Sequence, residues 1–345
     1  MRKKILYAVQ GTGNGHVARA RQILPILAKY HDVDVFLGGN QSEVALPFVP
    51  KFYSRGLVMH YNKKGGVSIW KTIVKNNYFL LLRDIFQVPV QQYDLVINDF
   101  EFVTAWACKL RKWSCLQMSH QASFLSKNSP RPEAKQWMGE FILKNYAPSD
   151  QAIGFHFEMY DGFILPPIIR DEIRQLKRSK QNHITVYLPA FHHDYLLGFF
   201  KQIPNVNWHI FSKFANESVQ VNNVFIKPIN NELFIESFGY ATGVICGAGF
   251  ETPAEALFLE KKLMVLPISG QYEQACNAAA LAQLGVTVVQ NIDKDFIQSV
   301  MVWLNKPALA AHHYTDFTEI LLSTLDLNAT KAQIARSISQ VNFDL

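Results

Sequence analysis

A strand that runs through a glycine-rich turn straight into a helix limits this chain more than any other feature it has. Residues 5–9 form an apolar run that stops at Gln10-Gly11-Thr12-Gly13-Asn14-Gly15-His16. An amphipathic segment over about 17–30 follows, with Ile23, Leu24 and Leu27 on one face. Pro25 falls inside that segment and predicts a kink or a late first turn. Strand, turn and helix make the first half of a βαβ crossover, which needs a parallel strand further along. Residues 33–37 and 95–98 are apolar runs of strand length, ending in Gly, Asn or Asp. The rhythm restarts after Ile164-Leu165-Pro166-Pro167, with strand-like runs at 184–188, 208–211, 224–226, 244–246, 263–266 and 287–289. A length of 345 residues suits two domains of about 150 to 170 each. The expectation is α/β: two doubly wound parallel-sheet domains, 1–160 and 161–325, facing each other across a cleft. Ligands would enter at the carboxyl ends of the strands.

Composition narrows the classes. Hydrophobic residues make up 49% and charged residues 18%, with no uninterrupted apolar run of the roughly 18 residues a membrane-crossing helix needs. Met1-Arg2-Lys3-Lys4 is basic like a secretory leader, but the apolar stretch after it is too short and reads as the first strand. Cys108, Cys115, Cys246 and Cys276 have no CxxC spacing and lie in apolar or helical segments. Free thiols in a reducing cytoplasm are expected, with neither disulfides nor zinc. A net charge of +6 allows anionic partners such as nucleotide phosphates and acidic lipid headgroups. Nucleic acid is not expected, because no helix-turn-helix, zinc-finger or RNP-like pattern is present and the basic residues are dispersed. Asp32-Val33-Asp34 leads into the second strand, far from any phosphate cradle, so no metal site is assigned to it.

The first glycine turn can bring backbone N–H groups to a diphosphate, with Gly13 and Gly15 closest to it. A dinucleotide fingerprint would be GxGxxG with an acid at the end of strand two. Here the spacing is GxGxG and that strand ends in Gly38-Gly39. His16 stands at the helix N-terminus, where the positive dipole end favours a neutral imidazole able to take a proton. A simple cap on the turn is the other reading. Asp99 ends the strand of 95–98 on the same sheet edge, so the two can pair as a general base and its orienting carboxylate. Alternatively, Asp99 is the N-cap of a helix over 102–110. Glu101 is a second carboxylate nearby, and Ser119-His120-Gln121 ends the next strand, so Glu101 and His120 are candidates for contacting an acceptor.

In the second half, Cys246-Gly247-Ala248-Gly249-Phe250-Glu251-Thr252-Pro253-Ala254-Glu255 is another strand end, glycine turn and helix start. Downstream comes Leu266-Pro267-Ile268-Ser269-Gly270-Gln271-Tyr272-Glu273-Gln274-Ala275-Cys276-Asn277-Ala278. Together these stretches resemble the donor-binding signature of the GT-B glycosyltransferases, and the resemblance spans nearly the whole chain. It implies two Rossmann-like domains and a C-terminal helix over 326–345 that returns to the first domain. It also implies that Gly247, Gly249, Phe250, Glu251 and Thr252 hold the donor diphosphate and that Glu255 binds the ribose. Glu273, Gln274 and Asn277 then face the transferred sugar. The plant members of this superfamily have a histidine where Gly247 stands, so phosphate contact falls to the backbone here. His16 and Asp99 match the positions of the family's catalytic pair.

These readings combine into a metal-independent, inverting hexosyltransferase that uses a nucleotide diphosphate-sugar, with uridine the expected base, as co-substrate and needs no cofactor. The acceptor, whether glycan, lipid or small molecule, matches no motif. Two alternatives stay open: a sugar-nucleotide 2-epimerase of the same architecture, and a non-catalytic protein of nucleotide-sugars or membrane surfaces. Trp70 to Lys75 and Tyr78 to Arg83 mix apolar and basic residues. They suit peripheral contact with the inner face of the membrane, or a core-facing helix with snorkelling lysines.

Overall fold

The computed structural model describes residues 2–39, 46–57, 76–176, 181–309 and 312–323. The chain divides into two compact units. One comprises Met1–Ser129, Ala134–Arg170 and the chain from Thr315 on; the other comprises Asp171–Tyr314 with Pro130–Glu133.

The first unit contains β1 (Lys4–Gln10), α1 (Asn14–Tyr30), β2 (Asp32–Gly38), β3 (Phe52–Ser54), α2 (Tyr78–Gln87), β4 (Leu95–Asp99), α3 (Phe102–Arg111), β5 (Cys115–Ser119), α4 (Trp137–Asn145), β6 (Gln151–Phe155) and β7 (Ile164–Leu165). The order across the sheet is β3-β2-β1-β4-β5-β6-β7, and every pairing is parallel. Strands covered on both faces must be apolar throughout, and Ile5 through Val9 are indeed all buried. Chain order reverses direction between β1 and β4, which opens a ligand crevice at their carboxyl ends. The register pairs Val9 with Asp99 and so sets Asp99 beside the first glycine turn. Helix α1 starts at the turn itself and continues through Pro25. Because Pro25 is on the solvent side, water can take the carbonyl that its missing N–H leaves unbonded.

The second unit contains α5 (Asp171–Arg174), β8 (His183–Tyr187), α6 (His193–Phe200), β9 (Asn207–Ser212), β10 (Val219–Val221), β11 (Val224–Pro228), α7 (Asn231–Tyr240), β12 (Gly243–Gly247), α8 (Glu251–Phe258), β13 (Lys262–Leu266), α9 (Tyr272–Gln283), β14 (Thr287–Val288) and α10 (Phe296–Asn305). Its sheet order is β10-β11-β9-β8-β12-β13-β14, parallel except for the β10–β11 edge pair. The reversal here lies between β8 and β12, and the second glycine turn follows β12. The last helix among the described residues, α11 (Thr318–Ser323), belongs to the first unit. There Tyr30 Oη donates to Glu319 at 2.6 Å. The helix expected over 326–345 and the segment Trp70 to Lys75 lie outside the described residues.

All four cysteines are buried free thiols. The second unit also holds a stacked pair of imidazoles, His183 buried and His209 half-buried, with ring centres 4.1 Å apart. Ser237 ties both down: its carbonyl accepts from His183 Nε2 at 2.8 Å, and its Oγ lies 2.9 Å from His209 Nδ1. Burial, then the neighbouring His183 and Lys227, push the His209 pKa down to about 3. Burial lowers His183 too, against an upward pull from the Ser237 bond. Both rings are therefore neutral when folded but regain ordinary basicity, near 6.5, once unfolded. The unfolded chain then binds more protons below about pH 6.5, so stability present at pH 7 is lost as the pH falls. We expect the melting temperature to drop between pH 6.5 and 4.5, and His209→Phe to flatten that drop. An equal slope in the variant would show that the pair does not govern acid sensitivity.

Candidate active site

β1 ends at Gln10 and α1 begins at Asn14, so Gly11, Thr12 and Gly13 alone turn the chain. Gly11 N–H donates to the Gly38 carbonyl at 2.6 Å. A methyl group at Gly11 would stand 2.8 Å from the Gly39 oxygen, so the approach needs glycine. Beyond Gly13 the space is open, and no side chain caps the first turn of α1. An anion can reach its N–H groups there. Gly15 lies within that first turn.

One turn into α1, His16 Nδ1 lies 2.8 Å from Asp99 Oδ1. The structure thus brings together the two residues picked out in sequence. It adds a third: Arg19, buried and three residues after His16, places Nη2 2.6 Å from Asp99 Oδ1 and Nε 3.1 Å from Oδ2. Burial alone would push the Asp99 carboxyl up, but the Arg19 charge and then His16 outweigh it and hold the group below the usual carboxylate value. The same contacts fix the imidazole tautomer. A bond from Nδ1 to the carboxylate, which only accepts, needs the proton on Nδ1 and leaves the lone pair on Nε2. Arg19 Nη2, 3.2 Å from Nδ1, only donates and directs its proton to Asp99 Oδ1 at 2.6 Å. Gln121 Nε2 lies 3.4 Å from that Nε2.

A strained residue follows Asp99. Phe100 has φ 55°, in the left-handed region, which a bulky side chain enters only when its surroundings impose it. Asn98 imposes it: its Nδ2 donates to the Glu101 carbonyl and Thr104 Oγ1, and its Oδ1 accepts from Glu101 N–H. The turn lays the Phe100 ring parallel to the His16 ring, 6.4 Å away, and against Tyr146.

Two sequence assignments need correction here. Glu101 is fully buried and is the N-cap of α3, accepting from the N–H groups of Val103 and Thr104 and from Thr104 Oγ1. Asp99 is therefore not the cap, and Glu101 has no surface to offer an acceptor. Gly38 makes room for it, since a methyl there would stand 2.5 Å from Glu101 Oε1. His120 turns inward as well. Its Nδ1 lies 2.7 Å from the Phe155 carbonyl, and its ring packs on Phe124 and His156. β5 ends at Ser119, His120 has helical backbone angles and Gln121 opens a short 3-10 turn over Gln121–Leu125, so the chain bends between them, and Gln121 is the member of that trio at His16.

In the second unit, Ala248, Gly249 and Phe250 link β12 to α8. Space around Gly249 is open, and no side chain caps α8. Pro253, third in the helix, has no N–H, so the backbone donors of this turn come before it, in Gly249 to Thr252. Glu251 and Thr252 are half-buried in the first turn, and Glu255 is buried one turn on. Gly247 faces Gln274, whose Oε1 would lie 3.8 Å from a methyl there. That Oε1 accepts from Ile268 N–H at 2.9 Å, and the buried Asn277 donates to the Ala248 carbonyl at 3.1 Å. Asn277 is thereby corrected from a sugar contact to a tie that holds the glycine turn, while Glu273 stays half-exposed at the start of α9. Among the described residues, His192, His193 and Asp194 bring three ligand-type atoms within 4.8 Å of one another. They sit at the start of α6, where the dipole disfavours a cation. Asp34, from the tempting Asp-Val-Asp, is bonded to Lys51 and Tyr93.

The family model described as "Glycosyl transferase family 1" matches residues 3–305. No curated protein matches the sequence. Among solved structures, the glycotransferase of kitacinnamycin is similar at TM-score 0.57 and 12% identity, covering 100% of this chain and 99% of that one. The Streptomyces sp. SF2575 glycosyltransferase SsfS6, complexed with thymidine diphosphate, gives 0.52 and 14%, covering 98% and 100%. Acinetobacter baumannii MurG gives 0.51 and 15%, covering 100% of both. At such identities the likeness establishes the two-domain GT-B fold.

Proposed function

Starting from the membership of this chain in glycosyl transferase family 1, and hence from its being a glycosyltransferase, we propose an inverting transfer from a nucleoside diphosphate-sugar to a hydroxyl acceptor. The observation that carries the proposal is the imidazole of His16. Its Nδ1 proton is committed to Asp99 at 2.8 Å, which leaves Nε2 as a base held in one orientation. The acceptor oxygen forms a bond to the anomeric carbon while the bond from that carbon to the diphosphate oxygen breaks. The acceptor proton goes to His16 Nε2, and the diphosphate leaves with the electron pair. Asp99 stabilises the imidazolium that results. Gln121, at the same nitrogen, is suited to orient the incoming hydroxyl.

The second unit takes the donor in this reading. The open turn at Gly249 and the uncapped start of α8 offer N–H groups and a positive dipole end to a leaving diphosphate. The buried Glu255 and the half-exposed Glu273 are assigned to ribose and sugar hydroxyls. A nucleoside diphosphate as the ligand class is supported by the thymidine diphosphate complex of a protein with this fold, and uridine is the base we assign here.

Thermal shift with a panel of nucleoside diphosphates tests the donor half. A ligand at 100 times its Kd adds about 2.7 kcal/mol to native stability. Uridine diphosphate is expected to raise the melting temperature most. Gly249→Val, placed where a Cβ meets no heavy atom within 4 Å, should fold normally yet lose that rise. An unchanged shift in the variant would remove the glycine turn from donor binding. The anomeric configuration of the product, read by NMR, tests inversion. Release of free nucleotide without any acceptor would point instead to the 2-epimerase reading.

A further inference from the structure

Helix α2 is apolar on two sides. Leu81 and Ile85 enter the core of the first unit, yet Tyr78, Phe79, Leu82 and Phe86 are 44%, 78%, 54% and 65% exposed. Residues 79, 82 and 86 recur at intervals of three and four and so form one stripe along the helix. A single exposed apolar side chain is ordinary, but four on a helix of ten residues form a patch that calls for a partner.

The patch is held in place. Asn77 caps the helix by accepting from Leu80 N–H, and Ser54 Oγ donates to Asp84 at 2.7 Å. At the other end Arg111 donates to the carbonyls of Ile85 and Phe86. The outward stripe therefore belongs to a pinned helix and keeps its direction.

Charge selects the partner. The segments of the first unit carry a formal +7 and those of the second −1, so the whole positive excess lies on the unit that displays the stripe. Arg83 extends from α2 beside Leu82 with its side chain half exposed, pairing with Asp84 Oδ1 at 3.1 Å, and Arg111 stands next to Phe86. Asp84, the acid of α2, is less exposed than Arg83 and also accepts from Ser54 Oγ through Oδ2.

We propose that this face docks on an anionic lipid surface, with Phe79, Leu82 and Phe86 entering the headgroup and acyl boundary and Arg83 and Arg111 meeting phosphates. A second copy of the chain fits less well. It would oppose two units of +7, and a helix about 15 Å long covers far less than the roughly 800 Å² per partner of a stable interface. No helix among the described residues is long and apolar enough to cross a membrane, so the contact is peripheral.

Co-sedimentation with vesicles of phosphatidylcholine alone and of phosphatidylcholine with phosphatidylglycerol tests this without any sugar donor or acceptor. The outcome is therefore independent of the proposed reaction. The protein should pellet with the anionic vesicles, and salt should release it. Phe79→Ser, Leu82→Ser and Phe86→Ser combined should weaken binding by about 10²-fold or more, with an unchanged circular dichroism spectrum. The single Phe79→Ser variant, at the most exposed position, provides the same reading should the triple variant not fold. Protein left in the supernatant with anionic vesicles, or equal pelleting of wild type and variants, would overturn the proposal. A dimer seen by light scattering that the triple variant dissolves, with no vesicle binding, would assign the face to a second copy instead.

Discussion

His16→Ala is expected to slow glycosyl transfer by about 10²- to 10⁴-fold while leaving nucleoside diphosphate binding intact. Among the described residues at this turn, the imidazole presents a basic nitrogen to the acceptor, whose hydroxyl needs only to displace the 3.4 Å contact from Gln121 Nε2. Its Nδ1 side is committed to Asp99. Truncation should cost little stability, because the ring is partly exposed and Asp99 retains both contacts from Arg19. The loss should fall on kcat, with the thermal shift produced by the donor kept. Turnover close to wild type would remove His16 from the role of base. An equal loss of nucleotide binding would make it a donor contact instead.

Arg19→Met is expected to cost about 3–5 kcal/mol of stability, because it leaves a fully buried carboxylate without its guanidinium partner. In a unit of this size that is on the order of a 10 °C drop in melting temperature. The sign of the pH dependence separates this cause from ordinary core damage. With Arg19 present, the folded Asp99 pKa lies below its unfolded value, so the stability it confers is present at neutral pH and lost only in strong acid. Without Arg19 the largest downward pull is gone, and burial is expected to outweigh what remains from His16 and to set the folded pKa above the unfolded one. The variant then binds the extra proton when folded and loses stability as the pH rises. The gap between wild type and Arg19→Met should accordingly be narrower at pH 4.5 than at pH 7. A gap independent of pH would mean that Arg19 acts through packing alone. Adding Asp99→Leu to Arg19→Met should recover most of the stability and none of the transfer activity, since the orphaned charge is gone together with the support for His16.

Much of the scaffold could be read from local pattern. Apolar runs of strand length, glycine at the turns and a helical period after each of them predict two parallel sheets, with His16 and Asp99 at the carboxyl edge of the first. Local backbone geometry encodes such features within a few residues. Arg19 also left a local trace: it stands three residues after His16, on the helix face that carries Ile23, and a buried arginine there calls for an acid across the sheet edge. The trace was ambiguous because a charged residue early in a helix is usually solvated.

The sequence by itself determined the element types, the restart of the strand rhythm in the second half and the two glycine turns, and it set a histidine and an aspartate on one sheet edge as candidates to pair. Only the tertiary structure decided which neighbouring side chains share that site. It placed Arg19 on Asp99 across 80 positions, sent Glu101 and His120 into the core, and brought Gln121 to the base. It also turned Asn277 onto the backbone of the second glycine turn. The physical reason is that periodicity reports how a residue faces its own helix or strand. Which polar groups meet in the interior is set by packing between elements distant in the chain, where one step along a strand reverses the direction of a side chain and burial leaves each charge to find its counterpart.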